Sequence, residues 1–426
     1  MISAKIKRNI ALWLLIVISY FILNTVDMVT MILITIVPVF IIFTIDDSIA
    51  YLKGKREGKN NNVNIVDIAL IMLFFGEILN LLFTDKIQVQ TMNNSIFAAI
   101  IVYFFCRVYV VDERMQNKLI CAISIFGFLS AILFILSFLG VYYNVLSAGF
   151  NESEIIPLRF LFKPRNTFIN IWGAIFLAYL PFNIYTIFCI KKKIKFLAIL
   201  SLFIVVMAAI LTLSRGTLLA LFLFVFLFVI NIYINKIWTK KEMFIKIGIF
   251  IGFICLCAYP FKNSLIAMTN VSEQSSQIKS IEGRIDRWHD CLYLFKQNPV
   301  FGIGEGGYPL ESMIISNKTN AVYHHREENT MIQILVERGV IGAFPYIFLL
   351  VAIFYEIKKK LIVKKKFYLT DNVFLELLFF SSFLILLFRE MTFSALFENN
   401  IYLYLLFIII FIMTNGIRDE KNKVKQ

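Results

Sequence analysis

FLAILSLFIVVMAAILTLSRGTLLALFLFVFLFVINIYIN, residues 196–235, consists of two apolar runs that share one charged side chain, Arg215. Roughly 18–22 apolar residues in a helix are enough to cross a bilayer core, where every peptide group must be satisfied by the chain itself. The stretch therefore reads as a transmembrane hairpin with Ser214, Arg215 and Gly216 at its tip. The whole chain follows suit: of 426 residues 59% are hydrophobic, 45 of them phenylalanine, and the mean hydropathy is +0.79. One soluble domain cannot bury so much apolar surface, so the fold class is an all-α polytopic membrane protein. Further apolar runs lie near 10–25, 27–45, 65–83, 95–111, 119–141, 168–190, 247–260, 340–357, 372–389 and 396–415. The expectation is about 12 transmembrane helices with one large loop between the ninth and tenth.

Three regions result: 1–260 with transmembrane helices 1–9, a loop over 261–339, and 340–426 with helices 10–12 and a tail. Most of the 42 lysines and arginines fall in short segments such as Lys53–Lys59, Lys191–Lys195 and Lys358–Lys366, all on one side if the N-terminus is inside. By the positive-inside rule both termini are cytoplasmic and the large loop is extracytoplasmic. The +14 net charge is then a topology signal, and no nucleic-acid partner is expected. The first 25 residues have no small-residue cleavage site before the next apolar run, and read as a first membrane helix rather than a removed leader. Cys291 alone of six cysteines sits in the loop, which supports neither a disulfide framework nor a zinc site.

The polar loop gathers all three histidines with Arg284, Arg287, Glu327, Glu328 and Asn329. Ile278, Ile281, Ile285, Trp288, Leu292 and Phe295 recur at helical spacing, predicting an amphipathic helix that Asn298 and Pro299 end. Arg284 falls near its apolar seam, where a guanidinium is costly unless an anion meets it; Arg287 lies on the flank, and a solvated helix face is the alternative, stronger for Arg287 than for Arg284. Arg215 is not explained by positive-inside bias. It is either a snorkelling side chain or a fork for a lipid-linked phosphate. A second outer segment, RFLFKPRNTFIN at 159–170, adds Arg159 and Arg165. His324, His325, Glu327 and Glu328 are the one tight cluster able to accept a proton, against the alternative of a solvated loop. HHxEE in a loop is a weak metal signal, and neither a metal nor a cofactor is expected. GIGEGG at 302–307 lacks the strand and lysine of a phosphate-binding loop. Glu77, deep in an apolar run, is either functional or a structural hydrogen-bond partner.

SRGTLLALFLF (214–224), GRIDRW (283–288), NPVFGIG (298–304) and ENTMIQILVERGVIG (328–342), in this order and on one side of the membrane, resemble the bacterial O-antigen polymerase and O-antigen ligase superfamily. The resemblance implies inverting, metal-independent transfer of a glycan from an undecaprenyl diphosphate carrier to an acceptor hydroxyl at the outer face of the bacterial plasma membrane. Arg215 and Arg284 would hold the diphosphate, with Arg287, Arg159 and Arg165 as further candidates. Glu328, His325 and His324 are the candidate bases, and Asn329 and Glu327 their neighbours. Ligases of this superfamily carry a histidine directly before the asparagine; here Glu328 stands there. That departure favours a repeat-unit polymerase for O-antigen, capsule or exopolysaccharide over a ligase acting on lipid A core. The implied partners are lipid-linked donor and acceptor glycans, the bilayer, a flippase and a chain-length regulator. A lipid-linked oligosaccharide flippase is the alternative from another class, although its usual related halves are not seen.

Overall fold

The computed structural model describes residues 63–83, 95–110, 113–149, 169–189, 195–234, 274–304, 306–308, 329–364, 371–392 and 400–415, with single positions between 239 and 262 and at 311. They form α1 (Ile65–Phe83), α2 (Ser95–Tyr109), α3 (Glu113–Ser147), α4 (Ile169–Cys189), α5 (Lys195–Leu211), α6 (Arg215–Ile234), α7 (Gln274–Gln297), α8 (Thr330–Lys364), α9 (Asp371–Thr392) and α10 (Asn400–Asn415). No strand occurs among the described residues. Met115–Ser147, Ile169–Phe188, Arg215–Tyr233 and Thr330–Lys360 are long and apolar enough to cross a membrane, and Ile96–Arg107, Lys195–Leu211 and Ile401–Thr414 are shorter apolar helices. The expected spans at 10–25 and 27–45 lie outside the described residues, and the one at 247–260 is described only at single positions.

Local sequence sets the helix starts. Asn64 caps α1 by accepting the Asp67 amide (2.7 Å), while the Asp67 carboxylate accepts the Asn64 amide (2.9 Å), a reciprocal box that satisfies two orphan donors. The hairpin tip between α5 and α6 is a tight turn with Leu213 at φ 48°, after which the Ser214 carbonyl accepts the first bond of α6 from Leu218 (2.9 Å).

Helix α4 is the hub. It is buried on every side from Ile171 to Thr186, as expected of a helix that is apolar all round. Within it Asn183 accepts from Ser124 of α3 (2.8 Å) and Ser201 of α5 (2.5 Å), while its own amide donates to the Tyr179 carbonyl (3.0 Å). Small polar groups of this kind hold helices together where lipid supplies no hydrophobic drive. Outward-facing Leu129, Leu133, Leu136, Phe222, Phe344 and Ile347 are exposed, a lipid-compatible surface.

Contacts between helix termini define two ends of the bundle. At one, Asp67 meets Arg107 (2.9 Å), and Lys360 reaches the Met413 carbonyl (2.6 Å) and Glu376 (3.8 Å). The other, the loop end, gathers the starts of α4, α6 and α8 and the finish of α9.

At the loop end α8 breaks. Gly339 has φ 62° and ψ −170°, a conformation open essentially to glycine alone, and the break lies there, six residues before Pro345. The turn after α7 is spliced into it. Ile303 and Gly304 donate to the carbonyls of Val336 (3.0 Å) and Glu337 (2.9 Å), and Val340 and Ile341 donate to those of Pro299 (2.9 Å) and Val300 (3.2 Å). These four bonds satisfy peptide groups that the break would otherwise strand. The approach is close enough that a Cβ on Gly339 would lie 2.6 Å from the Gly302 nitrogen.

Gly339→Ala is therefore expected to destabilise the protein by about 2 kcal/mol or more, since it adds a left-handed penalty to a backbone clash. Thermal unfolding of the purified protein in detergent checks this, with Gly140→Ala, which meets nothing within 4 Å, as the harmless control.

Candidate active site

Helix α7 lies against the turn and the first turns of α8 through a small second core of Cys291, Leu294, Ile303, Tyr308 and Val336, with Phe295 and Ile332 at its edge. The packed face is rotated from the expected seam. Ile285 and Leu292 are 46% and 47% exposed, because contact with the spliced turn runs through Cys291 and Leu294 instead. Arg284 lies in α7, and Arg287 one turn before Cys291 is half-buried. The helix ends at Gln297, as Asn298 and Pro299 dictate.

Asn329 caps α8: its side-chain oxygen accepts the amides of Met331 (3.0 Å) and Ile332 (3.2 Å). Its amide group donates to the Met391 carbonyl (3.3 Å), and the next hydroxyl, Thr330, donates to the carboxylate of Glu390. The start of α8 is thus strapped to the finish of α9. One residue earlier, buried Arg389 donates to the Asn170 carbonyl at the head of α4 (3.2 Å). Gly173 on the same helix makes room for Thr217, two residues into α6 from the exposed Arg215. Four helix ends therefore bring Arg215 and Asn329 to the same end of the bundle. Arg159, Arg165, His324, His325, Glu327 and Glu328 lie outside the described residues.

An apolar cleft of about 60 Å³ runs inward from Thr330 and Glu390 between α8, α9 and α10, lined by Ile334, Tyr346, Leu349, Phe383, Leu387 and Leu403 among others. Beside it, buried Glu77 accepts from Arg338 Nε (2.8 Å) and Tyr346 OH (2.5 Å). Of the two readings of Glu77, this geometry bears out the structural bond. Arg338 also reaches Glu337 (3.4 Å), whose carboxylate accepts the Gly306 amide (2.9 Å) and Gln333 Nε2 (3.2 Å). Glu337, Arg338, Arg389 and Glu390 were not singled out by sequence. Their signal was present as charged pairs next to apolar runs, which membrane segments rarely carry without a partner. Among the described residues, no group of three or more His, Cys, Asp or Glu is placed to hold a metal ion.

Thr330→Val removes the donor to Glu390 and keeps the shape. It is expected to cost about 1–3 kcal/mol, the desolvation penalty of a buried acceptor short of a partner. Thermal unfolding should show that loss for valine and little of it for Thr330→Ser.

No curated protein matches the chain. Residues 200–347 match the family model described as O-antigen ligase, a segment that includes the hairpin tip, α7, the spliced turn and the break in α8. The match covers 148 of the 426 residues, and over that segment the chain is similar to the O-antigen ligase family.

Proposed function

We propose that the chain is a membrane glycosyltransferase that polymerises oligosaccharide repeat units carried on undecaprenyl diphosphate, at the outer face of the bacterial plasma membrane. The observation that carries the reading is the family match over 200–347, which contains Arg215, Arg284, Glu328 and Asn329. Arg215 opens α6, where the positive end of the helix adds to the guanidinium in favouring an anion. Arg215 and Arg284 hold the diphosphate of the donor, and Arg287, Arg159 and Arg165 are further candidates. Neutralising charge as it builds on the leaving group lowers the barrier selectively in the transition state.

The base is one of Glu328, His325 and His324. It takes the proton of an acceptor sugar hydroxyl while that oxygen attacks the anomeric carbon from the face opposite the diphosphate. The carbon–oxygen bond to the carrier breaks, its electron pair leaves with the diphosphate, and the configuration inverts. Asn329 is strapped to α9, and the position before it is taken by an acid here and by a histidine in ligases of this superfamily. That acid favours polymerase over ligase. A flippase delivering the units and a chain-length regulator are the corresponding partners.

Arg215→Ala should abolish polymer in cells while the protein still inserts in the membrane; polymer of normal length in that variant would sink the mechanism. Deleting the gene should leave single repeat units on the outer-leaflet carrier. Full-length polymer retained on the carrier would make it a ligase, and single units trapped on the inner leaflet would make it a flippase.

A further inference from the structure

Glu77 and Arg338 stand 261 positions apart in sequence and meet at 2.8 Å, with side chains 5% and 1% exposed. Nothing in the backbone requires this pair. The break in α8 is already satisfied by four peptide bonds from the turn, and a buried ion pair is seldom a net gain over apolar packing of the same size. Charged residues inside a membrane bundle usually serve a function. The geometry suggests which one. Glu337 and Arg338 adjoin the break and point to different bodies: Glu337 takes the Gly306 amide of the turn, and Arg338 takes Glu77 of α1. Their mutual contact at 3.4 Å joins the two, and Tyr346 braces the far side of Glu77 with its hydroxyl while its ring lies 5.7 Å from the Arg338 guanidinium.

The proposed diphosphate ligand on the loop side hangs from this point. Helix α7, which carries Arg284, runs directly into the turn that Glu337 holds. We propose that Glu77, Arg338 and Glu337 are positioning residues: a buried chain of alternating charge that locks the 298–307 turn to the membrane bundle and so sets where α7 and its Arg284 stand. The inference rests on the glycosyl-transfer reading above for its catalytic consequence, not for the latch itself.

Amide hydrogen exchange on the full chain in lipid nanodiscs tests it. The amides of Gly302, Ile303, Gly304 and Gly306 should exchange slowly in the wild type, and Glu77→Ala should speed them about tenfold or more while α4 is unaffected. Glu77→Gln keeps an acceptor oxygen for Arg338 and Tyr346, and should raise exchange there less than about threefold. With a lipid-linked repeat unit as donor, Glu77→Ala should lower kcat about tenfold and change KM less than about threefold, with glutamine restoring most of the loss. Unchanged exchange at Gly302, Ile303, Gly304 and Gly306 in Glu77→Ala would overturn the latch, and so would an equal rise throughout α4, which reports a loosened bundle. Faster exchange with unchanged kcat would overturn the positioning role. A wild-type chain inactive on every lipid-linked glycan would refute the transfer reading, and the exchange pattern would still decide whether the latch exists.

Discussion

A helix that breaks next to a bilayer strands peptide groups where water is scarce, and the fold of this protein depends on how α8 meets that demand at Gly339. It takes its missing partners from the turn that follows α7. Two sequence motifs far apart in function-oriented reading, NPVFGIG and ERGVIG, are therefore the two halves of one structural unit. Glycines sit at its crossing, Gly302 and Gly339, because peptide planes approach there more closely than a side chain allows. The small core of Cys291, Leu294 and Val336 and the orientation of α7 follow from that junction rather than from the amphipathicity of α7 alone.

What the sequence made legible is the physics that is local or statistical. Apolar run lengths identify helices and a membrane environment, and Asn298–Pro299 terminates α7 without help from tertiary structure. Asn329 shows the limit of such reading. Its cap role is local, but its bond to Met391 joins residues 62 apart in the chain. Which part of the α7 stripe meets the protein is another such limit. Periodicity locates an apolar stripe, yet here the stripe is wide, and the spliced turn selects Cys291 and Leu294 while leaving Ile285 and Leu292 outside. Nor could spacing alone reveal that Glu77 is answered by Arg338, since an ion pair between distant helices leaves no periodic trace.

The candidate site has a division of labour that follows from position. Residues at helix ends, such as Arg215 and Asn329, sit where the chain passes from apolar to polar surroundings and can meet a charged headgroup without burying it. Residues one or two turns deeper, such as Arg389 and Arg338, spend their donors on protein carbonyls and carboxylates. Sequence recognises both classes as charges near membrane edges; only depth and partners tell them apart.

The same pairings impose an order on biogenesis. Asn183 finds Ser124 and Ser201 on the helices directly before and after its own, so the hub of the bundle can close its polar contacts while the chain is still being made. Asp67 waits only until Arg107 has been synthesised. Glu77 waits far longer, because its guanidinium arrives 261 residues later, and until then α1 carries a carboxyl group with no such partner in an apolar setting. Contacts of such long range are the slow ones in folding. The junction that completes the loop end is thus among the last to form, and a chain stalled before α8 would carry Glu77 without its guanidinium.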